Sequence, residues 1–129
     1  MEHEISIENG IVIVRVWDKA DPDGYAATAA AIVSLPDWEA GMPILIDFED
    51  LDLAMATIDD VRAFARGASK YRKALGHCLC AVVNSKRLDF GLARVWQVFM
   101  NMISDVEVAV FYNAEDAMSW LEENMQPDR

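Results

Sequence analysis

The chain has 129 residues, 53% hydrophobic and 26% charged, enough for one domain with a buried core and too few for two. Twenty-two acids against 11 bases leave a net charge of −11, which sets nucleic acid aside as a partner, because polyanion binding needs clustered, uncompensated Lys and Arg. No apolar run approaches the roughly 18 residues that span a bilayer. Met1-Glu2-His3-Glu4 is not the basic start of a signal peptide, and two cysteines two positions apart give no disulfide framework, so a cytoplasmic protein is expected.

Glu4 to Glu8 and Ile11 to Trp17 are short extended runs joined by Asn9-Gly10, the pair that most readily supplies two positive φ angles, and so predict a β-hairpin. Asp21-Pro22-Asp23-Gly24 breaks the chain, and the Ala-rich stretch from Tyr25 to Leu35 predicts a helix that ends at Pro36. Pro43 to Phe48 reads as a buried strand, with Glu49, Asp50 and Asp52 in a loop just beyond it. Thr57 is a predicted N-cap, with Asp59 and Asp60 in the first turn where they complement the helix dipole. A helix of about 18 residues follows, with Ile58, Val61, Ala65, Ala68, Tyr71 and Leu75 on one side and Arg62, Arg66, Lys70 and Lys73 on the other.

Leu79 to Val83 is a fourth strand, Asp89 to Ser104 a third helix, and Val106 to Phe111 a fifth strand. The last helix runs from Asn113 to Asn124, with Ala117, Trp120 and Leu121 on one side. The order ββαβαβαβα predicts an α/β domain over residues 1–125 with a five-stranded mixed sheet: an antiparallel edge hairpin, then parallel βα units joined by right-handed crossovers. Val12, Val14, Ile44, Ile46, Leu79, Ala81, Val108 and Val110 are expected to be buried, and residues 126–129 to form a frayed tail.

This order resembles the SpoIIAA-like family of the STAS-type fold, which is distantly similar to CRAL-TRIO lipid carriers. The residues that carry the resemblance are Asp89-Phe90-Gly91-Leu92-Ala93-Arg94 at the start of the third helix, Val110-Phe111, Glu115-Asp116-Ala117 and Trp120-Leu121. The resemblance covers nearly the whole chain and implies a βα superhelix with near-sequential strands and no enzymatic mechanism. It also implies a comparison with phosphoswitch antagonists, which carry an Asp-Ser-Ser-Gly-like string after the third strand. Here Met55-Ala56-Thr57-Ile58 stands in that place, without the Asp or the leading Ser. Thr57 is therefore a degenerate phosphoacceptor position that helix capping already explains.

His77, Cys78 and Cys80 are of zinc-binding type, yet strand alternation puts His77 opposite the two cysteines and no second pair completes four ligands. Asp47, Glu49, Asp50 and Asp52 lie where open α/β sheets place ligands, without the paired acids on the preceding strand that a magnesium site needs. With only His3 and His77 available, no Ser-His-Asp arrangement, nucleophile elbow or Gly-rich phosphate loop can be drawn. No enzyme, metal or cofactor is expected.

Charge is unevenly placed. Arg62 to Arg94 holds eight bases and one acid, a net +7 inside a chain of −11, so the remainder carries −18. Within it, the 89–104 helix is apolar over roughly 200° of its circumference, more than one sheet face requires. The expected binding surface therefore joins Arg62, Arg66 and Lys70 to Arg94, Trp96, Phe99, Met100 and Met102. The expected function is a noncatalytic binding module for a lipophilic or amphiphilic ligand or an anionic membrane surface, peripheral on that membrane. The alternative is a protein-interaction module, either similar to the anti-sigma-factor antagonists or homodimeric.

Overall fold

The computed structural model describes residues 1–125; the tail expected at 126–129 lies outside them. Five strands run in the spatial order of the chain: β1 (Glu2–Glu8), β2 (Ile11–Lys19), β3 (Ile44–Asp52), β4 (Leu79–Val83) and β5 (Glu107–Phe111). β1 and β2 are antiparallel and every later pair is parallel. Asn9 and Gly10 take φ of 53° and 77°, the two positive values that the hairpin turn demands.

The helices are α1 (Pro22–Val33), α2 (Ile58–Ser69), α3 (Arg72–Leu75), α4 (Arg87–Ile103) and α5 (Ala114–Asn124). Each new strand is added on the same side of its predecessor, so right-handed crossovers put α1, α2 and α4 on one sheet face. The main core lies between those helices and the sheet, built on Val12, Val14, Ile44, Ile46, Val82 and Val108. α5 follows the last strand and covers the other face over β3, β4 and β5, where Leu45, Ala81, Val83, Ala117 and Leu121 form a smaller core.

Four expectations need correction. Asp21-Pro22 starts α1 instead of breaking the chain: the Asp21 carboxylate accepts from Gly24 N at 2.6 Å, and Pro22 occupies the first turn, where its missing N–H costs nothing. β3 continues to Asp52, so Glu49 and Asp50 are strand residues: Glu49 falls in the register shift, and pairing with β2 resumes at Asp50 opposite Trp17. The single helix after Thr57 is two. Tertiary contacts hold the last turn apart from the first helix: Trp38 Nε1 donates to Ala74 O at 3.0 Å and Gly41 N to Leu75 O at 2.9 Å. The chain tightens at Tyr71, whose N–H donates to Ala68 O, and α3 turns Leu75 into the core. Finally, Leu79 and Val110 are half-buried: Leu79 packs at the margin of the smaller core and Val110 lies on the edge strand.

An aromatic cluster ties the layers together. Tyr25 of α1 stacks on Phe64 of α2 with ring centres 4.8 Å apart, and Trp96 of α4 lies 5.8 Å from Phe48 of β3 and 5.9 Å from Tyr25. Such pairs add about 0.5–1.5 kcal/mol each beyond the area they bury. The same layer contains an apolar cavity of about 50 Å³ walled by all three helices and the sheet. At about 24 cal/mol per Å³ a void of that size costs on the order of 1 kcal/mol.

Two glycines on this layer behave oppositely. A Cβ on Gly67 would stand 2.6 Å from Pro22 O, so the glycine lets α2 approach the start of α1, whereas a Cβ on exposed Gly91 of α4 meets nothing within 4 Å. Gly67→Ala should lower stability by about 1–3 kcal/mol and Gly91→Ala raise it by roughly 0.5–1 kcal/mol, read by urea unfolding of the two variants. Thr57 forms a full capping box: its hydroxyl accepts from Asp60 N at 3.1 Å while the Asp60 carboxylate accepts from Thr57 N at 2.9 Å. Thr57→Ala should cost about 0.5–2 kcal/mol, while Thr57→Asp, an equally good cap, should stay near the wild-type unfolding midpoint.

Candidate binding surface

On α2, Val61, Phe64, Ala65 and Ala68 face the core, which turns Arg62 and Arg66 outward on the shoulder next to α4. Lys70 caps the C-terminal end of α2, and Arg66, Lys70, Arg72 and Lys73 are all exposed. The Arg62 guanidinium sits 5.1 Å above the Phe99 ring and also donates to Asp59 at 3.1 Å, a cation–π contact and an ion pair that fix its place between the helices.

The circumference of α4 divides into four. Ala93, Trp96 and Met100 point at the sheet, with Trp96 and Met100 only 4% and 2% exposed. Leu92, Phe99 and Ile103 lie toward α2. Arg94 and Asn101 lie toward β5, where the Asn101 amide oxygen accepts from Val108 N at 2.9 Å and covers part of that strand's open edge. Gly91, Val95, Val98 and Met102 share the outermost side at spacings of four, three and four. Val98 is 55% exposed and Met102 74%, with Ile103 beside them at 39%.

The surface is therefore an apolar ridge of Val95, Val98 and Met102, with Arg62, Arg66 and Phe99 on one flank and Arg94 on the other. Of the residues expected from the sequence, Arg62, Arg66, Arg94, Phe99 and Met102 come together here, and Lys70 extends the basic flank at the end of α2. Trp96 and Met100 do not belong to it, because they fill the core. Val98 and Ile103, exposed but not expected on this surface, belong to it, and for Val98 the helical spacing from Met102 is the signal in the sequence.

The other candidates are occupied by structural work. Glu49 accepts from both the backbone N and the hydroxyl of Ser85 at 2.7 Å, Asp50 pairs with Arg15 at 2.8 Å, and Asp47 and Asp52 accept from Glu49 N and Ala54 N. Asp89, at the start of α4, has its carboxyl pushed up by partial desolvation, with Lys86 opposing and Asp52 and Glu49 adding to the rise. Among the described residues no group of three or more His, Cys, Asp or Glu is placed to hold a metal ion. His77 is exposed while Cys78 and Cys80 are buried, as alternation requires. Burial pushes the Cys78 thiol up to about 12 and Cys80 well above its ordinary value, so both are unreactive at neutral pH. Thr57 is exposed at the head of α2, beside a cleft of about 230 Å³ lined by Lys19, Asp52 and Met55.

No protein-family model and no curated protein matches the chain. Solved structures do. An uncharacterised protein of the DUF3478 family from Shewanella loihica PV-4, with a SpoIIAA-like fold, is 18% identical over 93% of this chain and 92% of its own, with a TM-score of 0.58. The anti-sigma factor antagonist SpoIIAA in its unphosphorylated form is 13% identical over 97% of this chain and all of its own, with a TM-score of 0.53. The sequential five-stranded sheet, its edge hairpin and these two likenesses agree: the chain has the SpoIIAA-like fold of the STAS type.

Proposed function

We propose that this chain is a noncatalytic docking module that binds an acidic, amphipathic segment of a partner protein along the outer side of α4. The exposed ridge of Val98 and Met102 between Arg94 and the Arg62–Arg66 shoulder carries the reading. Apolar side chains aligned along one helix match a helix or strand laid against them, and the cations on either flank match acids at that segment's edges. The likeness to an anti-sigma factor antagonist, a protein named for its action on another protein, supports the same class.

The ligand and membrane readings have less support. A cavity of about 50 Å³ is a third of the ~150 Å³ that admits benzene, so it has no room for an acyl chain. An anionic membrane would meet the same ridge, but as a plane it would also approach Asp59, whose side chain is 88% exposed beside Arg62. No helix among the described residues is long and apolar enough to cross a membrane.

The test compares the wild-type chain with Val98→Glu/Met102→Glu and Arg66→Glu/Lys70→Glu, all outward-facing changes expected to leave the unfolding midpoint within about 0.5 kcal/mol of wild type. The partner recovered from the source cells with the wild-type chain should be lost with either double variant, and its binding should weaken with salt. Binding of the wild-type chain to phosphatidylglycerol vesicles, lost in both variants, would replace the protein reading with the membrane one.

A further inference from the structure

We propose that the cleft beyond the carboxyl ends of β2 and β3 is a binding site for a small zwitterion with an apolar side chain, of the free amino acid class. The cleft shares no residue with the α4 ridge. It opens at the end of the sheet where parallel α/β domains bind ligands, beside the first turns of α1 and α2, and measures about 230 Å³. That exceeds the ~150 Å³ that admits benzene and falls below the roughly 300 Å³ at which pockets for drug-sized molecules begin. Buried Ala20 and Phe64 lie at its base, and Pro22, Met55 and Ala56 supply the rest of its apolar wall.

The charged part of the lining is of both signs. Lys19 and Asp52 are register partners at the ends of neighbouring strands, yet among the described residues no carboxylate lies within 4.0 Å of the Lys19 ammonium. Asp21 is committed to Gly24 N at 2.6 Å and to the amino group of Met1 at 3.5 Å. Asp52 and Asp60 each accept from the backbone, of Ala54 and Thr57, through one carboxylate oxygen, and the second oxygen has no hydrogen-bond partner among the described residues. Those backbone bonds hold the two carboxylates in place before any ligand arrives, which lowers the ordering cost of binding. An ammonium and two carboxylates left unpaired around an apolar base complement a molecule that carries a carboxylate, an ammonium and an apolar group. A simple anion would face the two acids, and a simple cation would leave Lys19 without a partner.

L-leucine, 3-methylbutylamine and 4-methylpentanoate carry the same branched apolar group with both charges, the ammonium alone and the carboxylate alone. The ¹⁵N-labelled full chain would be titrated with each at neutral pH while the backbone amides of Ala20, Ala56 and Phe64 are followed. L-leucine should shift these amides to saturation and bind about two- to fivefold more tightly than either analogue, the gain that one exposed ion pair gives. Lys19→Met should bring leucine down to the affinity of the amine and leave the amine unchanged. Asp52→Asn, which keeps the acceptor for Ala54 N, should weaken leucine and leave 4-methylpentanoate unweakened. Both side chains are exposed, so both variants should keep the wild-type unfolding midpoint. The absence of a saturable shift with leucine, an amine or a carboxylate that binds as tightly as leucine, or a Lys19→Met variant that weakens leucine and amine alike would overturn the proposal.

Discussion

The handedness of the βα crossover is the constraint from which the rest of this molecule follows. Because β2 to β5 are laid down in order in one direction, α1, α2 and α4 are driven to one face, and α5 alone crosses to the other. Crowding three helices on one side of a narrow sheet gives α4 neighbours on three sides and leaves its fourth to solvent. That fourth side carries Val98 and Met102. The opposite sheet face is covered differently: α5 spans β3 to β5, and over β1 and β2 the same face carries Glu2, Glu4, Ser6, Glu8 and Arg15 beside half-buried Ile13 and Trp17.

The same crowding accounts for the core. Tyr25, Phe64 and Trp96 come from three helices and meet over Phe48, large flat groups that fill the wedge between cylinders and a twisted sheet imperfectly. The void left beside them lowers stability modestly, and the aromatic contacts around it outweigh that loss. Gly67 shows how tight the packing is elsewhere, since α2 passes the first turn of α1 with no room for a methyl group.

Strand order, hairpin, capping at Thr57 and the burial of Cys78 and Cys80 were legible in the sequence because each rests on local pattern: alternation, a turn pair, a cap and its partner three residues on. The start of α1 is not legible in the sequence because Asp-Pro-Asp-Gly serves equally as a turn and as a cap followed by a first-turn proline. The break at Tyr71 is not legible because the apolar spacing continues through it, and the groups that hold the last turn, Trp38 and Gly41, come from a distant loop. That Trp96 and Met100 fill the core while Val98 and Ile103 face outward is not legible in the sequence, because a helix apolar over most of its circumference does not itself declare which side meets the sheet. The direction is fixed by tertiary contacts: Asn101 to β5 and Phe99 to Arg62.

The electrostatics favour a local partner over an extended one. Arg62, Arg66 and Arg94 flank the α4 ridge, with Asp59 paired to Arg62, and because charges act over about 8–10 Å at physiological salt, a larger surface brought against the molecule also meets the acids that dominate the remainder of a −11 chain. The most direct measurement is photocrosslinking in the source cells, with a benzophenone amino acid at position 98 of the full chain or, as control, at the exposed position 6 on the bare face of β1. The account predicts a discrete protein adduct from position 98, none from position 6, and loss of the adduct when Arg66→Glu and Lys70→Glu are combined with the probe. Equal adducts from both positions, or only lipid adducts from position 98, would contradict it.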